Sequence, residues 1–138
     1  MRLFNSDFLE YIELLNKHHV EYVLVGGMAV NIHGYRRTTG DMDIFVNPSP
    51  RNHLKLKNVH LDFGMHMGKM EELDNFLNTS KFDVFTFGAS PIQIDILTVC
   101  KGISFDKAQE SSVHYELDDG LSVSVVDYQT LISAKKSI

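Results

Sequence analysis

The chain has 138 residues, of which 43% are hydrophobic and 22% charged, and its net charge is −5 with histidine neutral. This size suits one domain spanning residues 1–138, with enough apolar sequence for a buried core that needs no disulfide or structural metal. The acidic balance argues against a protein that binds nucleic acid mainly through its phosphates, because such proteins usually have a basic surface.

The sequence has no feature of a membrane or secreted protein. No apolar run reaches the roughly 18 residues that a membrane-spanning helix requires. The N-terminal segment has acidic residues within its apolar part and no cleavage site of small residues, so we expect no signal peptide and no membrane partner. A single cysteine, Cys100, excludes an internal disulfide framework. The sequence therefore predicts a cytoplasmic protein in which Cys100 is a half-buried small hydrophobic residue.

The first third of the chain predicts helices and strands in alternation. Apolar residues at helical spacing indicate a helix from Asn5 to Lys17. A short apolar run, Tyr22–Val25, reads as a central strand, and a glycine pair separates it from a short helix, Met28–His33. A second strand is predicted at Asp41–Val46, before a segment rich in proline.

The middle of the chain predicts two further helices. Ser49 followed by Pro50 is typical of an N-cap and a first helical residue, so a helix is expected to run from there towards Val59. A second helix is predicted at Lys69–Asn78, with three apolar residues on one face: Met70, Leu73 and Leu77.

The remaining segments complete a mixed α/β pattern. Strands are predicted at Phe82–Phe87, Ile92–Val99, Val113–Leu117 and Leu121–Val125. The last two flank an Asp-Asp-Gly turn and are expected to form a hairpin. Asp127 is in position to N-cap a final helix through Lys135. This order predicts an α/β (α+β) fold, a mixed β-sheet with flanking helices.

Two acidic residues occur in the second strand, although strands usually avoid aspartate. Asp41 and Asp43 are two residues apart, so their side chains project from the same face, opposite Met42 and Ile44. Carboxylates this close repel each other, and a divalent cation that binds both removes the conflict. Mg²⁺ is commonly bound by one or two carboxylates together with substrate phosphates. The pair therefore predicts a Mg²⁺ or Mn²⁺ site.

A third carboxylate, Asp95, lies in the apolar segment IQIDIL. Ile92, Ile94 and Ile96 share one face of that strand, and Gln93, Asp95 and Leu97 lie on the other. If this strand neighbours the strand of Asp43, three carboxylates meet on one face, as in two-metal sites for phosphoryl displacement. Other readings stay open, because a single strand aspartate is often an exposed edge residue and Asp-x-Asp also binds metal in unrelated glycosyltransferases.

The glycine pair, Gly26 and Gly27, follows the first strand and precedes a helix. Without Cβ atoms the backbone can turn sharply and come close to a ligand, and free N–H groups there can bind phosphate. An ordinary tight strand-to-helix turn is the alternative. Neither the P-loop pattern nor the dinucleotide-binding G-x-G-x-x-G is present.

These features combine into a recognisable pattern. Gly26-Gly27, a gap of thirteen residues, Asp41-Met42-Asp43 in a strand and a lone Asp95 in a later strand resemble the nucleotidyltransferase superfamily of the DNA polymerase beta type. The segment VGGMAVNIHGYRRTTGDMDIFV is similar to the small bacterial branch, which includes toxin-like enzymes of abortive-infection systems and lincosamide-modifying enzymes. The resemblance covers about residues 20–100, and the segment DYQTLISAKK is also similar to the final helix of that branch.

The resemblance implies an enzyme that moves a nucleoside monophosphate from ATP or another NTP to an acceptor hydroxyl and releases pyrophosphate. Asp41, Asp43 and Asp95 would be the catalytic and metal-binding residues, with Mg²⁺ or Mn²⁺ as the cofactor. Gly26 and Gly27 would cradle the phosphates through backbone N–H groups. Many members have a serine after the first glycine, whose hydroxyl contacts a phosphate, and this chain lacks that hydroxyl.

Further nucleotide contacts are expected from the polar segment before Asp41 and from the last helix. Arg36 or Arg37 would neutralise charge on the leaving pyrophosphate, although a solvated loop is an equal alternative. Thr39 would support the start of the strand, and Lys135 would approach a phosphate unless it is simply a solvated helix end. The acceptor stays open among an RNA end such as that of tRNA, a side chain of a partner protein and a small molecule. The rival reading is a catalytically degenerate fold that serves as an interaction module in a toxin-antitoxin-like pair.

Overall fold

The computed structural model describes residues 6–33, 41–89, 92–117, 120–127 and 129–130. Its strands are β1 (Tyr22–Val25), β2 (Asp41–Val46), β3 (Val84–Ala89), β4 (Ile92–Leu97), β5 (Val113–Glu116) and β6 (Ser122–Val125). Its helices are α1 (Ser6–Lys17), α2 (Gly26–Ile32), α3 (Pro50–Phe63), α4 (Leu73–Leu77) and α5 (Phe105–Glu110), with a 3-10 helix at Gly68–Glu71. None of the helices in these ranges is long and apolar enough to cross a membrane.

The six strands form one mixed sheet in the order β3-β4-β2-β1-β6-β5. β2 runs parallel to β4 and antiparallel to β1, while the outer pairs β3–β4 and β5–β6 are antiparallel. The expected mixed sheet with flanking helices, the neighbouring positions of β2 and β4, and the final hairpin are therefore all confirmed.

One face of the sheet is apolar and covered by helices. Aromatic rings connect the layers, since His60 of α3 lies 4.7 Å from Phe87, and Phe76 of α4 lies 6.4 Å from Phe85, between ring centroids. Burying one such large apolar side chain contributes about 1.5–3 kcal/mol to folding. Four of the predicted inward-facing residues of β2 and β4 are buried here: Met42, Ile44, Ile94 and Ile96.

The opposite face carries Asp41, Asp43 and Asp95, and we call it the carboxylate face. Helix α5 covers one end of it, where Phe105 packs against Phe45 with ring centroids 5.3 Å apart. Phe45 follows Asp43 by two residues and lies on the same side of β2. The part of this face that α5 covers therefore begins two residues beyond Asp43.

Helix α3 begins where its sequence predicts and ends at Phe63, four residues beyond the expected end at Val59. The Ser49 hydroxyl accepts a hydrogen bond from the Asn52 N–H at 3.1 Å, which confirms the N-cap. The helix ends at Gly64, whose φ of 81° is the left-handed conformation typical of a C-terminal glycine.

The predicted continuous helix over residues 69–78 is wrong. The 3-10 helix and α4 are separate, because Glu72 between them is extended, with φ −78° and ψ 122°. The break also changes the buried face: Met70 and Phe76 are buried, whereas Leu73 and Leu77 are 37% and 38% exposed. A single helical periodicity cannot describe this segment.

Two histidines, His53 and His60, are buried in the core. His53 Nε2 lies 2.7 Å from the Met70 carbonyl. His60 Nδ1 lies 3.0 Å from the His66 carbonyl, and its Nε2 lies 2.6 Å from the Tyr11 hydroxyl. Because a carbonyl accepts hydrogen bonds, Nδ1 of His60 donates and Nε2 accepts. Burial lowers the pKa of His60, which favours the neutral form of the ring.

The end of α1 offers a test of backbone strain. His19 has a φ of 56°, in the left-handed region where helix ends usually have glycine. We expect His19→Gly to raise the free energy of unfolding by about 0.5–1 kcal/mol, because glycine adopts this conformation without steric cost. Urea denaturation measures the change. As a control, His18→Gly should destabilise the protein, since it removes the 2.7 Å contact to Asp62. If His19→Gly were less stable than the wild type, the backbone of His19 would not be strained in the folded protein.

Candidate active site

Direct strand pairing brings Asp43 and Asp95 together on the carboxylate face. Asp43 of β2 pairs with Asp95 of β4 on one side and with Val25 of β1 on the other. Adjacent strands lie about 4.8 Å apart, so paired side chains on one face are in contact range. The two carboxyl groups interact directly, since the charge of Asp95 contributes to raising the pKa of Asp43. With Thr86 of β3, which pairs with Asp95, they form one row across the sheet: Thr86, Asp95, Asp43, Val25.

Asp41 lies on the same face at the start of β2, opposite Gln93 of β4. Its side chain is partly exposed, and its negative charge reaches Asp43. All three acids that the sequence singles out are therefore on one face, as the strand alternation predicts. Their catalytic and metal-binding roles stay predictions.

The carboxyl group of Asp43 is held in an unfavourable environment. Its pKa is raised from 3.8 to about 6, first by burial, then by the charge of Asp95, the hydrogen bond to Asp95 and the charge of Asp41. A carboxylate that is difficult to ionise beside two other acids readily takes up a proton or a cation. Strongly perturbed acids of this kind cluster at functional sites.

Gly26 packs directly against this carboxyl group. Its φ is +74°, and a Cβ built there would collide with Oδ2 of Asp43 and lie 3.0 Å from its Cγ. Glycine is therefore required at this position, because other residues rarely adopt this φ and because Asp43 leaves no space for a Cβ. The pair Gly26-Gly27 forms the first turn of α2, which begins two residues earlier than the sequence predicts.

Gln93 is a residue of this site that the sequence alone does not identify. Its side-chain nitrogen Nε2 donates to both oxygens of Asp95, at 3.1 Å to Oδ1 and 3.3 Å to Oδ2. Its position in the sequence could have indicated this role. Gln93 lies two residues before Asp95, which puts both side chains on the same face of β4.

The donor atoms suit a hard divalent cation. Carboxylate oxygens are preferred by Mg²⁺ and Mn²⁺. Within the described ranges, no group of three or more His, Cys, Asp or Glu side chains is arranged to hold a metal on its own. Asp43 and Asp95 supply a pair of carboxylates, and Mg²⁺ needs one or two when phosphates and water complete its coordination. The residues thus fit a cation that arrives with a phosphorylated ligand.

Cys100 lies within electrostatic reach of this site. Its side chain is partly buried, as predicted. Burial, and to a smaller extent the negative charge of Asp43, raise the pKa of its thiol. A thiol that stays protonated is a poor nucleophile, so the environment disfavours covalent catalysis by this residue.

The other predicted nucleotide contacts lie outside the described residues. Arg36, Arg37 and Thr39 precede β2, and Lys135 belongs to the C-terminal segment. The start of that segment agrees with the predicted cap, because Asp127 Oδ1 accepts a hydrogen bond from the Thr130 N–H at 2.8 Å.

Comparison with known proteins leaves the site to be interpreted from its geometry. No protein-family model matches the chain, and no curated protein is significantly similar to it.

Proposed function

We propose that the chain has a nucleotidyltransferase-like fold and transfers a nucleoside monophosphate from an NTP to an acceptor hydroxyl, with release of pyrophosphate. The observation that carries this proposal is the direct pairing of Asp43 with Asp95 on adjacent parallel strands, with Gly26 packed against Asp43. Keeping two acids in contact on a sheet is unfavourable unless they handle a cation or a proton.

The reaction forms a bond between the acceptor oxygen and the α-phosphorus, and it breaks the bond from that phosphorus to the oxygen of the leaving pyrophosphate. The acceptor hydroxyl must also lose a proton, and we assign Asp95 as the base that accepts it. Asp43 and Asp95 would hold Mg²⁺ or Mn²⁺ together with phosphates of the NTP, with Asp41 as a third carboxylate on the same face. When bound, the cation supplies positive charge that offsets the charge of the triphosphate and of the leaving group.

The surroundings of the pair suit a phosphorylated substrate. Gly26 and Gly27 leave the backbone beside Asp43 free of side chains, so phosphates can approach closely. Thr86, the neighbour of Asp95 on β3, is exposed, so that side of the row is open to an acceptor. A net charge of −5 disfavours an acceptor held mainly through its phosphates. As the acceptor, we therefore favour a protein side chain or a small molecule over tRNA.

Labelled nucleotides test this proposal. The wild-type chain is incubated with each of the four NTPs carrying an α-phosphate label, with Mg²⁺ and with a cell extract that supplies acceptors. We expect transfer of label from at least one NTP with an equal amount of pyrophosphate released, and no transfer in EDTA. Mg²⁺ with that NTP should also raise the melting temperature by mass action.

The position of the label provides the control. Compared with the extract alone, the same NTP with a γ-phosphate label should give no additional transfer, because the γ-phosphate leaves in pyrophosphate. Transfer of the γ label would indicate a kinase and would contradict the proposal. Absence of transfer with all four NTPs would favour the degenerate interaction module instead.

A further inference from the structure

We propose that Gln93 is a positioning residue, which holds the carboxylate of Asp95 in the orientation needed to bind a divalent cation and accept a proton. This inference rests on the proposed function. It starts from two hydrogen bonds from one side-chain nitrogen, 3.1 Å and 3.3 Å from the two oxygens of Asp95.

The geometry of these two bonds restrains the carboxylate. The terminal torsion of an aspartate is broad, so a carboxylate without partners rotates easily. A donor that faces both oxygens at once limits that rotation. Asp43 pairs with Asp95 on the neighbouring strand, so it limits the space on the other side. Restrained by the two bonds from Gln93, the Asp95 carboxylate has a defined orientation before any ligand arrives, which reduces the ordering needed on binding.

The register of the sheet gives Gln93 room on one side. β4 pairs Gln93 with Asp41 on one side and with Gly88 on the other. Gly88 has no side chain, so the β3 side leaves room for the long glutamine. Because Gln93 and Asp95 are both on β4 and two residues apart, their separation depends on local strand geometry rather than on loop positions.

The neutral amide has a specific chemical advantage. An arginine or lysine at this position would also donate to Asp95, but its positive charge would neutralise the carboxylate and compete with the cation. Glutamine orients the carboxylate and leaves its full negative charge available. Partners that hold a ligating group in this way typically affect metal affinity 10–100-fold when removed, although they never touch the metal.

Mn²⁺ binding measured by electron paramagnetic resonance, with and without a non-hydrolysable NTP analogue, tests the inference. Gln93→Met keeps the side-chain length and removes the donor, and we expect its dissociation constant for Mn²⁺ to rise about tenfold. Gln93→Lys keeps a donor and adds a charge, and its affinity should fall further. Gln109→Met is the matched control, because it makes the same exchange at an exposed glutamine of α5 outside the site, and its affinity should stay within about twofold of the wild type.

Two outcomes separate this inference from the function on which it rests. If the wild type binds Mn²⁺ and Gln93→Met binds it equally well, the positioning role is overturned and the proposed function stands. If the wild type binds no Mn²⁺ in either state, both are overturned. Circular dichroism and urea midpoints establish that the variants are folded, and a purely structural glutamine would change the midpoint without changing the affinity. Weaker binding by Gln93→Lys than by Gln93→Met supports the importance of the neutral amide.

Discussion

Asp43→Asn and Asp95→Asn should each remove almost all nucleotide transfer. The double variant should lose no more activity than either single variant. Residues that act as a unit show this non-additivity, because the first loss already removes the function that the second would impair. Asparagine keeps the size and removes the charge, so the fold should persist. We expect a decrease in turnover of roughly three orders of magnitude or more for each variant. Label transfer from the active NTP measures it.

Asp43→Asn should at the same time stabilise the protein. The folded-state pKa of Asp43 is raised to about 6 from 3.8, so ionisation of this group opposes folding above that range. The stability gained by asparagine should therefore be full above about pH 6 and should vanish as the pH falls from 6 towards 3.8. Because the group is partly exposed, we expect a gain on the order of 1 kcal/mol rather than the full value of the shift.

Urea denaturation at pH 7.5 and pH 4 measures this gain. Asp74→Asn is a charge-matched control, since Asp74 is exposed on α4, in the helix layer that covers the opposite face of the sheet. It should leave transfer unchanged and lack the pH-dependent gain. If Asp43→Asn were fully active and less stable at pH 7.5, the carboxylate would be a structural hydrogen-bond acceptor and the site assignment would be wrong.

Gly26→Ala should be strongly destabilising and should impair transfer. A Cβ at this position meets Oδ2 of Asp43, and the φ of +74° is unfavourable for alanine. Strain and overpacking together should lower the free energy of unfolding by about 2–4 kcal/mol. The displaced Asp43 carboxylate should lower turnover by about 100-fold, a typical effect of moving a catalytic group by 1 Å. Urea denaturation and label transfer measure the two effects.

Gly64→Ala separates the two contributions. Gly64 has a similar φ of +81°, but a Cβ there meets nothing within 4 Å. This control should lose only about 1 kcal/mol, from backbone strain alone. Combining Gly26→Ala with Asp43→Ala should recover part of the stability, with a coupling of at least about 1 kcal/mol. Equal destabilisation by Gly26→Ala and Gly64→Ala would show that the close approach to Asp43 has no energetic consequence.

Local features of this protein were predictable from the sequence because they depend on local geometry. Strand side chains alternate with a period of two, so the common face of Asp41 and Asp43 and the burial of Met42 and Ile44 follow from spacing alone. The cap at Ser49 and the final hairpin also follow from short-range rules, since each involves residues close in the chain.

The contacts that make the site depend on the tertiary structure. Residues 43 and 95 pair because β2 and β4 are neighbours in the sheet, and a slip of one residue would have turned one carboxylate to the apolar face. Such a register is decided by the packing of the whole sheet. The position of Gly26 against Asp43 and the restraint of Asp95 by Gln93 depend on it in turn.

The same reason explains the expectations that were wrong or absent. The broken helix over residues 68–77 turns Met70 and Phe76 inward because the neighbouring sheet offers a partner to Phe76 in Phe85. His60 is buried because Tyr11, far away in the sequence, satisfies its ring nitrogen. Periodicity describes what one segment favours alone, whereas burial and hydrogen bonding are decided by the elements that pack against it.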